Sequence, residues 1–233
     1  MGKTTTSRRK KPSGRGRSRR RPWRALTALG LVALGAHFAL LQEVDVPSRS
    51  MEDSLLAGDQ LLVDKLTYGA RLPWGWRLPG RRQPRVGDVV VFEYPDDAAR
   101  PYVRRCAAVA AQTVEIRDKA VYVDGERLAD PPFSKFLEAR VLKAAESARD
   151  NLSARTVPAA SIFVLGDNRD NSRDSRHFGA VPTDRVLGRA IYVYWSAEPL
   201  PRGADQSWLG WTGQRLLTLV PRTRWSRLGR QLG

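Results

Sequence analysis

The stretch GDNRDNSRDSRHFGAV, residues 166–181, decides the fold assignment of this sequence. It holds three Asp, two Asn and three Arg within sixteen residues, and it directly follows the apolar run SIFVL, residues 161–165. A charge run of this kind is ordinarily a solvated loop. A loop that leaves a buried strand is also where a rigid scaffold commonly holds functional side chains. The rest of the sequence favours the functional interpretation.

Short β-rich runs separated by turn signals fill most of the sequence between residues 60 and 195. They are QLLVDKL (60–66), DVVVFEY (88–94), TVEIRD (113–118), AVYVDG (120–125), SIFVL (161–165) and RAIYVYW (189–195). The third and fourth runs predict a β-hairpin, after which Asp124-Gly125 turns the chain again. Beyond the N-terminal apolar stretch, the only helical pattern is SKFLEARVLKAAESA, residues 134–148. The sequence therefore predicts a mainly β domain, with residues from about 126 to 160 as an insertion or subdomain.

The N-terminal part of the sequence has the pattern of a membrane anchor. Residues 1–24 carry eleven Lys or Arg and no Asp or Glu, and residues 25–41 contain no formal charge. About 20 apolar residues are needed to cross a bilayer as a helix. The pattern predicts a retained transmembrane helix, because no clean small-x-small cleavage site follows it; a cleaved signal peptide and a buried core helix are the alternatives. The positive-inside rule places residues 1–24 in the cytoplasm and the following domain, residues 42–200, outside.

The net charge of +16 belongs to the two ends of the chain. Residues 201–233 carry six Arg and one Asp, whereas residues 25–200 carry 23 basic and 23 acidic residues. A neutral middle argues against a nucleic-acid partner, and the basic head beside an apolar span favours the lipid bilayer as a partner. The basic tail, rich in Trp, Leu and Arg, is compatible with an amphipathic helix on a surface or with a disordered segment. The Trp- and Arg-rich segment 68–88 predicts either an irregular loop or contact with the bilayer interface.

Cysteine and histidine are too few for a disulfide or a metal cluster. The sequence has one Cys, Cys106, and two His that lie in separate contexts, His37 and His177. No Gly-rich nucleotide loop is present either. The sequence therefore predicts no metal and no cofactor.

Four segments together carry the chemistry. They are VPSRSMEDSLLAGDQLLVDKLTYG (46–69), VGDVVVFEYP (86–95), PYVRRC (101–106) and the stretch 166–181. In this order they resemble the conserved boxes of bacterial type I signal peptidases, which are membrane-anchored serine endopeptidases. The resemblance covers about residues 42–195. It implies a signal-peptidase-like β catalytic domain after one N-terminal transmembrane helix, held in the bacterial cytoplasmic membrane, that removes signal peptides from exported preproteins.

The resemblance also implies the roles of particular residues. Ser50, directly before Met51, matches the nucleophile that forms an acyl-enzyme. The Ser50 backbone N–H and the Ser48 hydroxyl match the oxyanion hole. Ser172 matches the serine that hydrogen-bonds the general base. The polar buttress beneath the base is matched by Asp167, Asp174 and Arg176.

The sequence departs from the family at the general base. The family has Tyr-x-Lys-Arg, whereas this chain has Tyr102-Val103-Arg104-Arg105, so Arg104 stands at the position of the lysine. A lysine can lose its proton when it is desolvated, but a guanidinium, with a pKa above about 12, cannot. Other candidates do not replace the lysine convincingly: Lys65, Lys119, Lys135, Lys143 and His177.

Two further departures lie nearby. The Gly-Leu-Pro-Gly-Asp that follows the base in the family is replaced by residues 106–112, and Asp53 stands where the family has a proline after the nucleophile. Two hypotheses therefore remain. The chain is a signal-peptide-cleaving serine endopeptidase that uses Ser50, or it is a catalytically impaired homologue, a pseudoprotease, that binds exported peptides or a partner.

Overall fold

Strands dominate the part of the chain that the computed structural model describes, namely residues 2, 26–27, 41–46, 48–71, 76–95, 97–200 and 218–232. The strands are β1 (Leu41–Asp45), β2 (Asp59–Asp64), β3 (Val89–Tyr94), β4 (Asp97–Val109), β5 (Thr113–Arg117), β6 (Ala120–Val123), β7 (Glu126–Arg127), β8 (Leu152–Thr156), β9 (Ser161–Leu165), β10 (Val181–Pro182), β11 (Val186–Ser196) and β12 (Arg230–Gln231). The prediction of a mainly β domain is confirmed. Residues 36–233 form one compact unit, and of the unit made by residues 1–35 only three residues are described.

The strands form two antiparallel sheets. The larger has the order β1-β2-β11-β3-β4-β9-β10, with β12 paired to β11, and the smaller has the order β7-β6-β5-β8. The predicted hairpin is the β5–β6 pair, with Val114 opposite Val123 and Arg117 opposite Ala120. Strand β4 lies inside the larger sheet between β3 and β9, which fixes the backbone of its long middle section on both sides.

The burial of each strand follows its sequence pattern. In DQLLVD (β2) the side chains alternate between buried and half-buried, as expected of a strand with one face on the core. In SIFVL (β9) all five residues are buried, as expected of a strand covered on both faces. The core side chains form three clusters; the first packs Met51 and Leu55 against β2 and β11, and thereby anchors the turn that follows β1.

Helical segments are short in the described part of the chain. They are α1 (Ser175–Phe178), α2 (Leu219–Arg222) and two single 3₁₀ turns, Thr183–Arg185 and Trp225–Arg227. No helix among the described residues has both the length and the apolar character that a membrane crossing requires. The predicted transmembrane span, residues 25–41, lies outside the described residues apart from residues 26, 27 and 41, and β1 begins at Leu41.

The helical pattern at residues 134–148 is wrong as a prediction of a helix. Lys135 instead pairs its backbone with the 166–181 stretch: its N–H donates to Asp167 O (2.8 Å) and its C=O accepts from Arg169 N (2.9 Å). The next amides, of Leu137 and Glu138, donate to the carboxylate of Asp170, each at 2.8 Å. Because these groups are bound to a distant loop, they are not available for helical hydrogen bonds.

Of the C-terminal tail, residues 201–217 and 233 lie outside the described residues, and the part from residue 223 to 232 differs from both alternatives raised by the sequence. Residues 223–232 are neither a surface helix nor unstructured. Strand β12 pairs with β11, Leu232 is buried in the first core cluster, and Arg227 forms an ion pair with the buried Asp59. In the segment 68–88, residues 72–75 lie outside the described residues, and Trp76 is exposed.

Candidate active site

A cleft of about 630 Å³ lies where β1, the turn after it, β4 and the 166–181 stretch meet. Three of the predicted site residues line it together: Ser48, Ser50 and Arg104. Its size is within the range of pockets that hold ligands. Its described lining contains no Lys and no His, so none of the alternative bases considered from the sequence lies in it.

The turn after β1 presents two serine hydroxyls to this cleft. Ser48 Oγ and Ser50 Oγ are 2.9 Å apart, within hydrogen-bond distance, and Ser50 is only 5% exposed. The turn is held from below by the buried side chains of Met51 and Leu55, and Leu55 N donates to Met51 O at 2.7 Å. Among the described residues no acceptor is bonded to the backbone N–H of Ser50. The N–H of Ser50 and the hydroxyl of Ser48 could therefore both donate to an oxygen held in the cleft.

The 166–181 stretch clamps this turn. The N–H of Asn168 donates to Ser50 O (3.0 Å), and Asn168 Nδ2 donates to Arg49 O (3.2 Å). Gly166 is required by close approach: a Cβ at this position would lie 2.6 Å from Ser50 O and 2.1 Å from Ser172 Oγ. The loop and the serine turn therefore form one rigid arrangement, although they are far apart in the sequence.

Asp167 lies beneath the turn and binds an arginine from β4. Arg105 Nε and Nη2 each donate to one oxygen of Asp167 at 2.9 Å, and Ser54 Oγ donates to the same carboxylate at 2.5 Å. Arg105 also donates to Gly87 O at 2.8 Å. Sequence reasoning placed Asp167 here but missed Arg105 and Ser54. The signal for Arg105 is its place directly after Arg104 on a strand, which puts the two side chains on opposite faces.

Asp174 and Arg176 form a second buried pair. Arg176 donates to Asp174 from Nε (2.8 Å) and Nη2 (2.7 Å), and the N–H of Gly166 donates to the same carboxylate at 3.0 Å. Burial alone would raise the pKa of Asp174. The charge of Arg176 and these hydrogen bonds outweigh the burial and hold its pKa below the usual range. The carboxylate of this ion pair thus holds Gly166, the first residue of the 166–181 stretch, against the serine turn.

Arg104 is buried in the wall of the cleft, with 4% of its surface exposed. Its Nε and Nη2 donate to Arg173 O (3.1 and 2.7 Å), and its Nη1 donates to Val103 O (2.6 Å). No ion pair joins it to a carboxylate in the described part of the chain. Burial lowers the pKa of Arg104, and the negative charge of Asp174 works against this shift. A guanidinium in this setting still cannot act as a base, because arginine does not lose its proton in proteins.

Ser172 directly precedes Arg173, whose carbonyl oxygen binds Arg104, but no hydrogen bond joins the Ser172 hydroxyl to Arg104. Its Oγ is buried, and its interaction with the carboxylate of Asp174 is one of the contacts that lower the pKa of that group. Arg104 is instead held by the carbonyl of the following residue, Arg173. The base-orienting role of Ser172 stays a prediction.

The loss of the family proline is explained by the backbone of the serine turn. Asp53 has φ of +79°, in the left-handed region. A proline ring fixes φ near −65°, so proline does not fit this conformation. Asn and Asp are among the non-glycine residues that tolerate it best.

The lysines considered as replacement bases have other partners or lie elsewhere. Lys119 Nζ is 2.6 Å from Asp170 and 3.3 Å from Asp150. Lys135 Nζ lies 3.6 Å from a carboxylate oxygen of Glu52. Burial lowers the pKa of Lys65, but Lys65 does not line the cleft.

Among the described residues, no group of three or more His, Cys, Asp or Glu could hold a metal ion.

A β scaffold that presents a pair of serine hydroxyls in a peptide-sized cleft is the arrangement of a serine-peptidase-like protein. The family described as "Signal peptidase, peptidase S26" matches residues 19–195. The chain therefore belongs to the signal peptidase I family.

Curated relatives agree with this assignment. Signal peptidase I of Pseudomonas fluorescens is 32% identical over 70% of this chain and 67% of its own length. Probable signal peptidase I-1 of Synechocystis sp. is 32% identical over 72% of this chain and 78% of its own. Signal peptidase I of Bacillus caldolyticus is 32% identical over 77% of this chain and 91% of its own.

Proposed function

We propose that this chain is a membrane-anchored serine endopeptidase of the signal peptidase I type, which removes signal peptides from exported preproteins. Ser50 Oγ attacks the carbonyl carbon of the scissile bond, the amine product leaves, and water hydrolyses the acyl-enzyme. The Ser50 N–H and the Ser48 hydroxyl stabilise the oxyanion. The observation that carries the proposal is the 2.9 Å contact of Ser48 Oγ with Ser50 Oγ in the cleft.

The loop beneath the serine turn supports the same proposal. Catalysis requires that the reacting groups be held within a few tenths of an ångström, which a second layer of contacts provides. Asn168 holds the carbonyl of Ser50, and Asp167 and Asp174 are each bound at two points by an arginine. In this proposal Asp167, Asp174 and Arg176 are positioning residues, and Ser172 is the residue that orients the base.

The proposal includes the membrane topology. Residues 1–24 lie in the cytoplasm, residues 25–41 cross the cytoplasmic membrane once, and residues 42–200 form the extracytoplasmic domain, followed by the basic tail 201–233. The support is the basic, acid-free head before an uncharged apolar stretch. The bilayer and the exported preproteins are the partners, and the neutral middle of the chain argues against nucleic acid.

A second candidate function is favoured by Arg104. Attack by Ser50 requires that its proton pass to a base, and a guanidinium that already donates to two carbonyl oxygens cannot accept it. A water molecule would have to take the proton in an active enzyme. The alternative is a pseudoprotease that binds exported peptides in the cleft without cutting them.

Cleavage of a preprotein separates the two candidates. The natural chain in liposomes is compared with Ser50→Ala, Arg104→Lys and the exposed control Ser153→Ala. Cleavage that disappears only in Ser50→Ala supports the endopeptidase. Absence of cleavage by the natural chain, with gain of cleavage in Arg104→Lys, supports the pseudoprotease. Cleavage that persists in Ser50→Ala, or that never appears in Arg104→Lys, contradicts the assignment of the site.

A further inference from the structure

We infer that the cleft binds its peptide through a carboxylate, which forms an ion pair with Arg104. The inference deepens the proposed function, on which it rests, by giving the cleft a chemical preference. The resemblance to signal peptidases implies small residues before the cleaved bond, held in shallow apolar pockets. Here the wall of the cleft contains a buried positive charge.

Among the buried arginines, Arg104 is the exception. Four described arginines are less than a tenth exposed, and three of them have a carboxylate partner: Arg105 with Asp167 (2.9 Å), Arg169 with Asp130 (2.8 Å) and Arg176 with Asp174 (2.7 Å). Arg104 is hydrogen-bonded to carbonyl oxygens and lies over the ring of Tyr102, with 5.1 Å between its guanidinium carbon and the ring centroid, but it has no carboxylate partner in this part of the chain. A buried charge is costly unless it is paired, so an anion beside Arg104 would be bound favourably.

Arg104 also has donors left for a ligand. A guanidinium has five N–H bonds. The hydrogen bonds of Arg104 to described residues use one N–H on each of its three nitrogens, which leaves one N–H on Nη1 and one on Nη2. Two N–H groups from the two Nη atoms suit a carboxylate, which is bound by arginine in a two-point geometry. The hydroxyls of Ser48 and Ser50 line the same cleft and can donate to the same anion.

The charges around the cleft favour an anion as well. Its described lining holds four arginines and two carboxylates: Arg49, Arg100, Arg104, Arg173, Glu43 and Asp45. Of the four arginines, Arg104 alone is buried. The positive excess attracts a negatively charged ligand, and the buried guanidinium discriminates it from a neutral one.

The ligand is a peptide because of the strand that forms one side of the cleft. Among the described strands β1 pairs only with β2, so β1 is an edge of the larger sheet, and its residues Glu43, Val44 and Asp45 line the cleft. An edge strand offers free backbone donors and acceptors to an extended peptide. The carboxylate is either the C-terminus of the peptide or an Asp or Glu side chain.

Peptide binding tests the inference directly. Three fluorescent ten-residue, alanine-rich peptides are titrated against the full chain in detergent, with fluorescence anisotropy as the readout. One peptide ends in a free carboxylate, one is amidated, and one is amidated but contains a central Glu. We expect at least one of the two carboxylate peptides to bind at least tenfold more tightly than the neutral one, and the peptide that does so identifies the source of the carboxylate.

Variants assign the preference to Arg104. Arg104→Met should abolish the tighter binding of the carboxylate peptide, and Arg104→Lys should keep part of it. The exposed control Arg117→Met should not change this preference. Arg104→Gln serves as a second neutral variant if Arg104→Met does not fold. Equal binding of all three peptides by the natural chain overturns the inference but leaves the peptide cleft intact. A preference that survives in Arg104→Met or Arg104→Gln also overturns it. Absence of binding and of cleavage for every peptide overturns the inference and the proposed function together.

Discussion

Strand β4 carries two consecutive buried arginines, Arg104 and Arg105, which lie on opposite faces of the strand and have different partners. Arg105 points under the serine turn and is bound at two points by Asp167, with Ser54 on the same carboxylate. Arg104, its neighbour, lines the cleft and is bonded to two backbone carbonyls. Both side chains are less than a tenth exposed. Burial is therefore not what distinguishes them; the presence of a carboxylate partner is.

We infer from this difference that the charge of Arg105 stabilises the fold, whereas the charge of Arg104 is available to a ligand. Removing one member of a buried ion pair leaves its partner buried and unpaired, which strongly destabilises the fold. A buried cation without a carboxylate leaves no charge behind when it is removed, so binding explains its presence better than stability does. The three predictions that follow can break or sharpen this contrast.

The largest effect is expected for Arg105→Met compared with Arg104→Met. Arg105→Met leaves the carboxylate of Asp167 buried without its counter-charge, and should lower the free energy of unfolding by about 3–5 kcal/mol. Arg104→Met takes a donor from two carbonyl oxygens and a cation from the Tyr102 ring but leaves no unpaired charge, and should cost less, about 1–3 kcal/mol. Urea denaturation of both variants in detergent measures the difference. Equal losses of stability would remove the distinction between the two faces.

A smaller effect is expected from the pH dependence of the Asp174–Arg176 pair. The pKa of Asp174 lies below its usual range in the folded chain. Its contribution is therefore fully present above the unfolded pKa of about 4 and is lost as the pH falls through the folded pKa. Asp174→Asn should be less stable than the natural chain by about 3 kcal/mol at pH 7.

The difference in the free energy of unfolding between the natural chain and Asp174→Asn should then decrease as the pH is lowered from 5 to 2. Denaturation at several pH values measures this difference, with Asp118→Asn, at an exposed turn, as the control. A gap that stays constant down to pH 2 would show that the carboxylate of Asp174 is not stabilised in its charged form.

The smallest effect is expected at a pair on the surface. Arg117 Nη2 lies 2.5 Å from Glu115, but more than half of the Arg117 side chain is exposed. Exposed ion pairs are screened by water and salt and contribute little to stability. Arg117→Met should leave the melting temperature unchanged within error. A drop of several degrees would show that a carboxylate partner matters on the surface as much as in the interior.

Local patterns predicted the strands well, because each depends on neighbours in the sequence. The alternation in β2, the fully apolar run of β9 and the Asp124-Gly125 turn all require only short-range information. The helical pattern at 134–148 was wrong because its amides bind Asp170, more than thirty residues away. Nothing in the local sequence of that segment reveals such a partner.

Only part of the site could be predicted from the sequence, because some of its contacts join residues that are far apart in the chain. The resemblance to signal peptidases pointed to Ser48 and Ser50, which line the cleft, and to Asp167, which lies beneath the serine turn; their roles stay predictions. The presence of Arg104 in place of the lysine was visible from the sequence alone. The pairing of Arg105 with Asp167 spans 62 residues, so it became evident only from the folded arrangement of β4 and β9. The positive φ of Asp53, which accounts for the missing proline, likewise depends on the folded turn.

The clamp on the serine turn also sets an order of assembly during synthesis. Asn168 binds the carbonyl of Arg49 across 119 residues of sequence. At roughly 5–20 residues per second, the ribosome needs roughly 6–24 seconds to pass from one to the other. Throughout that interval Ser48 and Ser50 have been made, whereas the residues that hold their turn in place have not. The serine turn of the nascent chain can thus be held in its final shape only after Asn168 has been made.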